Sequence, residues 1–223
     1  MKKIVFSSLI LLPSLLFSYQ LEFNKQFSKN IKNDKLSTNI TVNINSKQEY
    51  FINESIEFFQ DFIKEDNTVT KKNGKYSLFP NYSYQKNKKI FLDYKGVLRY
   101  NIETPNQDKL NQFLSELNRI KNNIDPNKIK LTISNIQWIV SKDLYEKNID
   151  SMRIDAIKWI KEYSKTLDDM CVIKNISLNK DRGYDTPAYA RSTMMKDGPT
   201  LNITPLKTKE NIKLNANYKL ECK

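Results

Sequence analysis

Few residue types here could carry out chemistry. The 223 residues contain no histidine. That removes Ser-His-Asp and Cys-His catalysis, histidine general bases and His-ligated zinc or iron. Four glycines, Gly74, Gly96, Gly183 and Gly198, stand singly, so no phosphate-cradling loop or dinucleotide fingerprint exists. Carboxylates remain as acid–base candidates. Asp168 and Asp169 are adjacent at an expected helix end, where neighbouring side chains diverge. Glu54, Glu57, Asp61 and Glu65 recur at three- and four-residue steps. They read as a solvated helix face without the tight glycine turn of a calcium loop. Met194 and Met195 are soft ligands or oxidant scavengers that lack a third ligand. No enzymatic reaction, cofactor or metal is expected.

A second constellation points to binding. Lys71, Lys72, Lys75, Lys86, Lys88 and Lys89 flank Tyr76, Phe79, Tyr82, Tyr84 and Phe91. Cations interleaved with aromatics steer and stack a single strand or a glycan. The same pattern suits an ordinary hairpin with charged ends, or the edge of an oligomer. Tyr76, Phe79, Tyr82, Tyr84, Lys86, Lys88 and Lys89 are therefore the candidate interaction hairpin.

The start of the chain reads as an export signal. Lys2 and Lys3 precede an apolar run, Ile4 to Phe17, broken by Ser7, Ser8, Pro13 and Ser14. A spanning helix needs about 20 apolar residues, and this run is shorter. Ser18 and Tyr19 mark the expected cleavage point, so 1–18 is a signal peptide and the mature chain is periplasmic. Loss of Lys2 and Lys3 lowers the formal charge from +12 to +10. The composition is rich in Lys, Asn and Ile, and the lysines are scattered, so nucleic acid is disfavoured as a partner.

The elements that must position these residues follow from periodicity. Apolar residues alternate through 35–45, 90–102 and 211–222, each predicting a strand with one buried and one wet face. Weaker strands are expected over 20–31 and 75–84, the latter at an edge because of Pro80. In 129–140 the apolar phase slips near Ser134-Asn135, predicting a bulge. A further strand covers 171–178. Helical spacing covers 48–65, 106–121 and 143–168, with Ser141 as the candidate cap of the last. Residues 181–208 read as a long mobile loop. The order is β-β-α-β-β-α-β-α-β-loop-β. It predicts an α+β fold in which three helices pack on largely antiparallel sheet, as a single domain over 19–223.

Cys171 opens one expected strand and Cys222 closes another. An even cysteine count in an exported chain predicts pairing. If the two strands are antiparallel neighbours, the start of one lies beside the end of the other. A Cys171–Cys222 bridge is therefore expected, with Cα atoms about 5.5–6 Å apart.

Several strings, in this order, resemble the SIMPL domain family, whose bacterial members include YggE-like exported proteins linked to oxidative-stress defence. The opening strand pair corresponds to 20–45, with Asn33-Asp34 where the family has Pro-Asp. Leu78-Phe79-Pro80-Asn81-Tyr82-Ser83-Tyr84 resembles its leucine, proline and spaced-tyrosine motif. Tyr94 to Ile102, Asp108-Lys109-Leu110, the helix 146–167, the Pro/Met loop 185–200 and the closing strand 211–222 follow in turn. The family's alanine ladder survives only at Ala156, with Trp159 and Tyr163 where small residues are usual. Those larger side chains should push the helix away from its sheet, or fill a wider gap between them. The resemblance implies an exported, self-associating protein without an established reaction, acting in envelope or oxidative-stress defence. Its partners would be copies of itself or an envelope protein. The alternative is a basic binding module for an anionic polymer or membrane surface, marked by a steep loss of binding with salt.

Overall fold

The computed structural model describes residues 18–86, 88–167, 171–180, 193–194 and 205–223. The expected signal peptide and Asp168-Asp169 lie outside these, as does Met195. The elements are β1 (Tyr19–Lys32), β2 (Lys35–Ser46), α1 (Glu49–Glu65), β3 (Thr70–Gln85), β4 (Lys88–Thr104), α2 (Gln107–Ile124), β5 (Ile129–Ile139), α3 (Lys142–Thr166), β6 (Cys171–Lys180), β7 (Thr193–Met194) and β8 (Lys209–Cys222). The α+β order is the one read from periodicity, with one addition. The two-residue β7 lies within the expected loop and pairs antiparallel with β5, Thr132 opposite Met194.

Where one domain is expected over 19–223, the chain gathers into two compact units. Of the described residues, the first comprises 18–29, 146–167, 171–180 and 212–223, and the second 30–86, 88–145, 193–194 and 205–211.

The second unit is built on a five-stranded sheet, order β3-β4-β2-β5-β7. Its central strand β2 shows why alternation was so clear. Leu36, Thr38, Ile40, Val42 and Ile44 are buried, and Ser37, Asn39, Thr41, Asn43 and Asn45 between them are half-exposed. One face thus receives α1, through Ile52, Ile56, Phe59 and Ile63, and α2, through Leu110, Phe113, Leu114 and Leu117. Phe62 stacks on Phe113 at 5.3 Å. Gly96 permits this approach, since a Cβ there would lie 2.3 Å from Ile52 Cγ2. Asn106 caps α2 by accepting from the amides of Asp108 and Lys109. The predicted bulge appears in β5. Its register against β2 shifts between Ser37 and Asn39, with Asn135 at φ 56°.

The first unit is built on a three-stranded sheet, order β1-β8-β6. β1 and β2 are consecutive but belong to different sheets, so they form no hairpin. Within the second unit, between β1 and β2 in sequence, Asn33 is buried and donates through Nδ2 to the Trp138 and Thr208 oxygens. Asp34 accepts from the amide and hydroxyl of Ser141 at 2.6 and 2.7 Å. Ser141 in turn caps α3 through Leu144 N.

Within this unit the sheet and α3 enclose an aromatic cluster. Trp159 stacks on Tyr163 at 4.8 Å, and Phe23 meets both edge-on. Tyr218 donates from its hydroxyl to the Ala156 carbonyl at 2.9 Å. Rings from both layers fill the space between α3 and the sheet. Burial pushes the Tyr218 hydroxyl above its ordinary pKa. At the open end Cys171 lies opposite Cys222 in the β6–β8 register, disulfide-bonded with Cα atoms 4.0 Å apart. Direct cross-strand pairing brings them closer than the expected 5.5–6 Å. Glu221 beside it accepts from Lys174 and from Ser18, which hold its carboxyl below the usual range.

Candidate interaction surface

The interaction hairpin is the β3–β4 pair, and its far end leaves the sheet. β4 pairs with β2 only from Thr104 to Tyr94. Beyond Tyr94 its only strand neighbour among the described residues is β3, itself an edge strand. Residues 81–85 and 88–93 therefore form a two-stranded ribbon, about 20 Å long at the usual strand rise. The turn at its tip joins Gln85 to Lys88, which pair directly. Lys86 there has φ 47°, as the first position of a two-residue hairpin turn requires.

The pairing register sorts the side chains. Tyr82 lies opposite Phe91, and Tyr84 opposite Lys89. These four share one face. Tyr82 and Phe91 meet edge-on at 5.9 Å, and Lys89 Nζ sits 3.8 Å above the Tyr82 ring. Ile90, opposite Ser83, lies on the other face. Both faces stay open: Tyr84 is 74% exposed, Phe91 43% and Ile90 41%. A two-stranded ribbon is marginal in water on its own, and apolar side chains on both of its faces add to that.

The remaining candidates are divided. Tyr76 lies nearer the sheet body and donates to Asn53 of α1 at 2.6 Å. Burial and the nearby Glu49 raise its pKa. Phe79, opposite Lys95, is exposed. Lys72 pairs with Glu103 at 2.7 Å, and Lys71 donates to the Asp66 carbonyl. Only Tyr82, Tyr84, Lys86, Lys88 and Lys89 belong to the ribbon. Sequence reasoning missed Ile90 and Leu92, which looked like core residues of an alternating strand.

The edge itself is guarded. Pro80 offers no N–H, and the β3–β4 register shifts at Lys72/Lys75 and Asn81/Tyr82. These devices discourage continuous strand addition. What the ribbon presents is therefore its side chains rather than a continuous backbone edge.

Two further surfaces in the same unit were not assembled from sequence. The wet face of the sheet carries Lys75, Lys95, Arg99 and Lys130, none with an ion-pair partner among the described residues. A shallow recess of about 380 Å³ there is lined by Asn43, Asn45, Lys95, Asn127, Lys128 and Lys130. On α1 the four acids noted above are exposed, as are Tyr50 and Phe58. Among the described residues no helix is long and apolar enough to cross a membrane.

Residues 26–218 match the family described as SIMPL, protein of unknown function (DUF541). The chain belongs to the SIMPL family. The match reaches into both compact units and spans the ribbon, α3 and most of the closing strand. No curated protein matches it. Among solved structures, a de novo designed protein, Foldit4, aligns at 11% identity. It covers 44% of this chain and 92% of its own length with a TM-score of 0.28, too low to inform fold or function.

Proposed function

We propose that this SIMPL-domain protein is exported to the periplasm and acts there as a self-associating, non-enzymatic protein in envelope or oxidative-stress defence. The observation that carries self-association is the β3–β4 ribbon, which holds exposed aromatic side chains on a hairpin that no other described element covers. Contiguous exposed apolar surface of this kind marks interaction sites. Export is supported by the basic-apolar start of the chain and by the paired cysteines, a bond that persists in oxidising compartments. The molar mass of the mature chain, by light scattering at tens of micromolar and at low and high salt, tests the reading. Masses above that of one chain are expected, and a monomer under every condition would overturn it.

A second reading, an anionic-polymer module, is favoured by the four unpaired cations on the wet face of the sheet. Binding of polyphosphate that falls steeply with salt and is lost in Lys95→Glu/Lys130→Glu supports it.

A further inference from the structure

On the reading that the ribbon mediates self-association, we propose that its docking partner is the outward face of α1 in a second copy, giving a head-to-tail assembly. The argument is charge and shape complementarity between two surfaces of one unit that the described residues leave without partners.

From Lys75 to Leu92 the chain contains no acidic residue, and Lys86, Lys88 and Lys89 cluster at the ribbon tip. None of these three has an ion-pair partner among the described residues. The α1 face is its converse. At 100° per residue, Tyr50, Glu54, Glu57, Phe58, Asp61 and Glu65 fall within a sector of about 100°. All six are exposed, Tyr50 at 65% and Phe58 at 55%. The four carboxylates have no cation partner among the described residues either. The opposite side of the helix is committed to the core through Ile52, Ile56, Phe59 and Ile63.

The dimensions agree. From Tyr50 to Glu65 the face runs about 22 Å along the helix, close to the length of the ribbon. Each surface also carries large exposed rings, Tyr82, Tyr84 and Phe91 on one and Tyr50 and Phe58 on the other. Docking buries ring against ring while the tip lysines meet the carboxylates. Two ribbons meeting each other would instead bring like charges together, and so would two α1 faces. The complementary pair is thus ribbon to helix, which is a heterologous contact. Such contacts leave a free ribbon at one end and a free helix face at the other, so assembly proceeds to a ring or a filament rather than stopping at a two-fold dimer.

A charge swap tests this. One variant is Lys86→Glu/Lys88→Glu/Lys89→Glu, and the other is Glu54→Lys/Glu57→Lys/Asp61→Lys. All six positions are exposed, and circular dichroism with thermal melting checks that each variant folds. Each variant alone carries like charge on both surfaces, so its self-association should weaken at least tenfold. Mixed one to one, each ribbon finds a helix face of opposite charge, and the wild-type mass distribution should return. Sedimentation velocity reads all three samples. If the ribbon variant dissociates while the α1 variant assembles as the wild type does, the proposed partner is overturned and the ribbon reading stands. Failure of the mixture to reassemble also overturns it. A monomeric wild type overturns both.

Discussion

The aromatic cluster under α3 and the β3–β4 ribbon use the same residue types. In the first, Phe23, Trp159, Tyr163 and Tyr218 meet ring to ring, and Lys25 lies 4.2 Å from the Trp159 ring centroid. In the second, Tyr82 and Phe91 meet edge-on, and Lys89 lies 3.8 Å from the Tyr82 ring centroid. The difference is the covering layer and the closure. The first set has a helix above its sheet and a disulfide across the ends of two strands. The second has only one strand beside another. Aromatic–lysine patterning therefore does not by itself separate a packed core from an exposed surface; the number of layers does. Where the layer is missing, a second molecule can supply it.

That comparison predicts opposite costs for similar truncations. Tyr218→Ala removes a ring 2% exposed, together with its hydrogen bond to Ala156. It should destabilise the mature chain by about 3–5 kcal/mol, in the range for large buried aromatics, as read by denaturant titration. Removing the bridge with Cys171→Ser/Cys222→Ser opens a loop with a sequence separation of 51. It should cost roughly 2–4 kcal/mol, seen as an equal fall in midpoint stability for the double variant and for the reduced wild type. An unchanged melt on reduction would deny the closure any role.

Much of the fold was legible before these contacts were known. β2, β4 and β8 alternate because each has one buried and one wet face. The bulge at Ser134-Asn135 shows as a slip of apolar phase because the strand must keep its core face across an extra residue. Cys171 and Cys222 were legible as a pair because the chain has an even cysteine count and one of them opens an expected strand while the other closes the last. Sheet membership was not legible. β1 pairs with β8, nearly two hundred residues away, and no local pattern distinguishes that from pairing with β2. Nor was the start of β3 at Thr70, since Lys71-Lys72-Asn73 carry no alternation and are held by the β4 register. The ribbon's aromatics and lysines were visible, but their exposure depends on β2 pairing no further than Tyr94, which is a tertiary fact. The acidic spacing of α1 was visible too. Its match to the ribbon emerges only with the unpaired charges and exposed rings of both.

Smaller effects sharpen the comparison further. Gly96→Ala drives a Cβ toward Ile52, which is fully buried in the helix–sheet core. Overpacking of this kind should cost about 1–3 kcal/mol, measured by thermal melting. The pH dependence of the α3 cluster is weaker. Tyr218 has its pKa raised above the ordinary 10.0, so the neutral hydroxyl is favoured in the folded state. Its contribution is full below pH 10 and is lost as pH rises through the elevated folded value. Melting between pH 8 and 11 should therefore fall less in Tyr218→Phe than in the wild type. Smallest of all is Tyr84→Ser on the ribbon, which should change the stability of the single chain by no more than about 0.5 kcal/mol.

That last variant leads to the most direct measurement of all. The molar mass of the mature wild-type chain and of Tyr82→Ser/Tyr84→Ser/Phe91→Ser is followed by light scattering across the micromolar range, with thermal melts run in parallel. An uncovered ribbon that recruits a second molecule predicts masses above one chain for the wild type, one chain for the variant, and nearly equal melting temperatures below the assembly threshold. Equal masses for the two proteins at every concentration would contradict it.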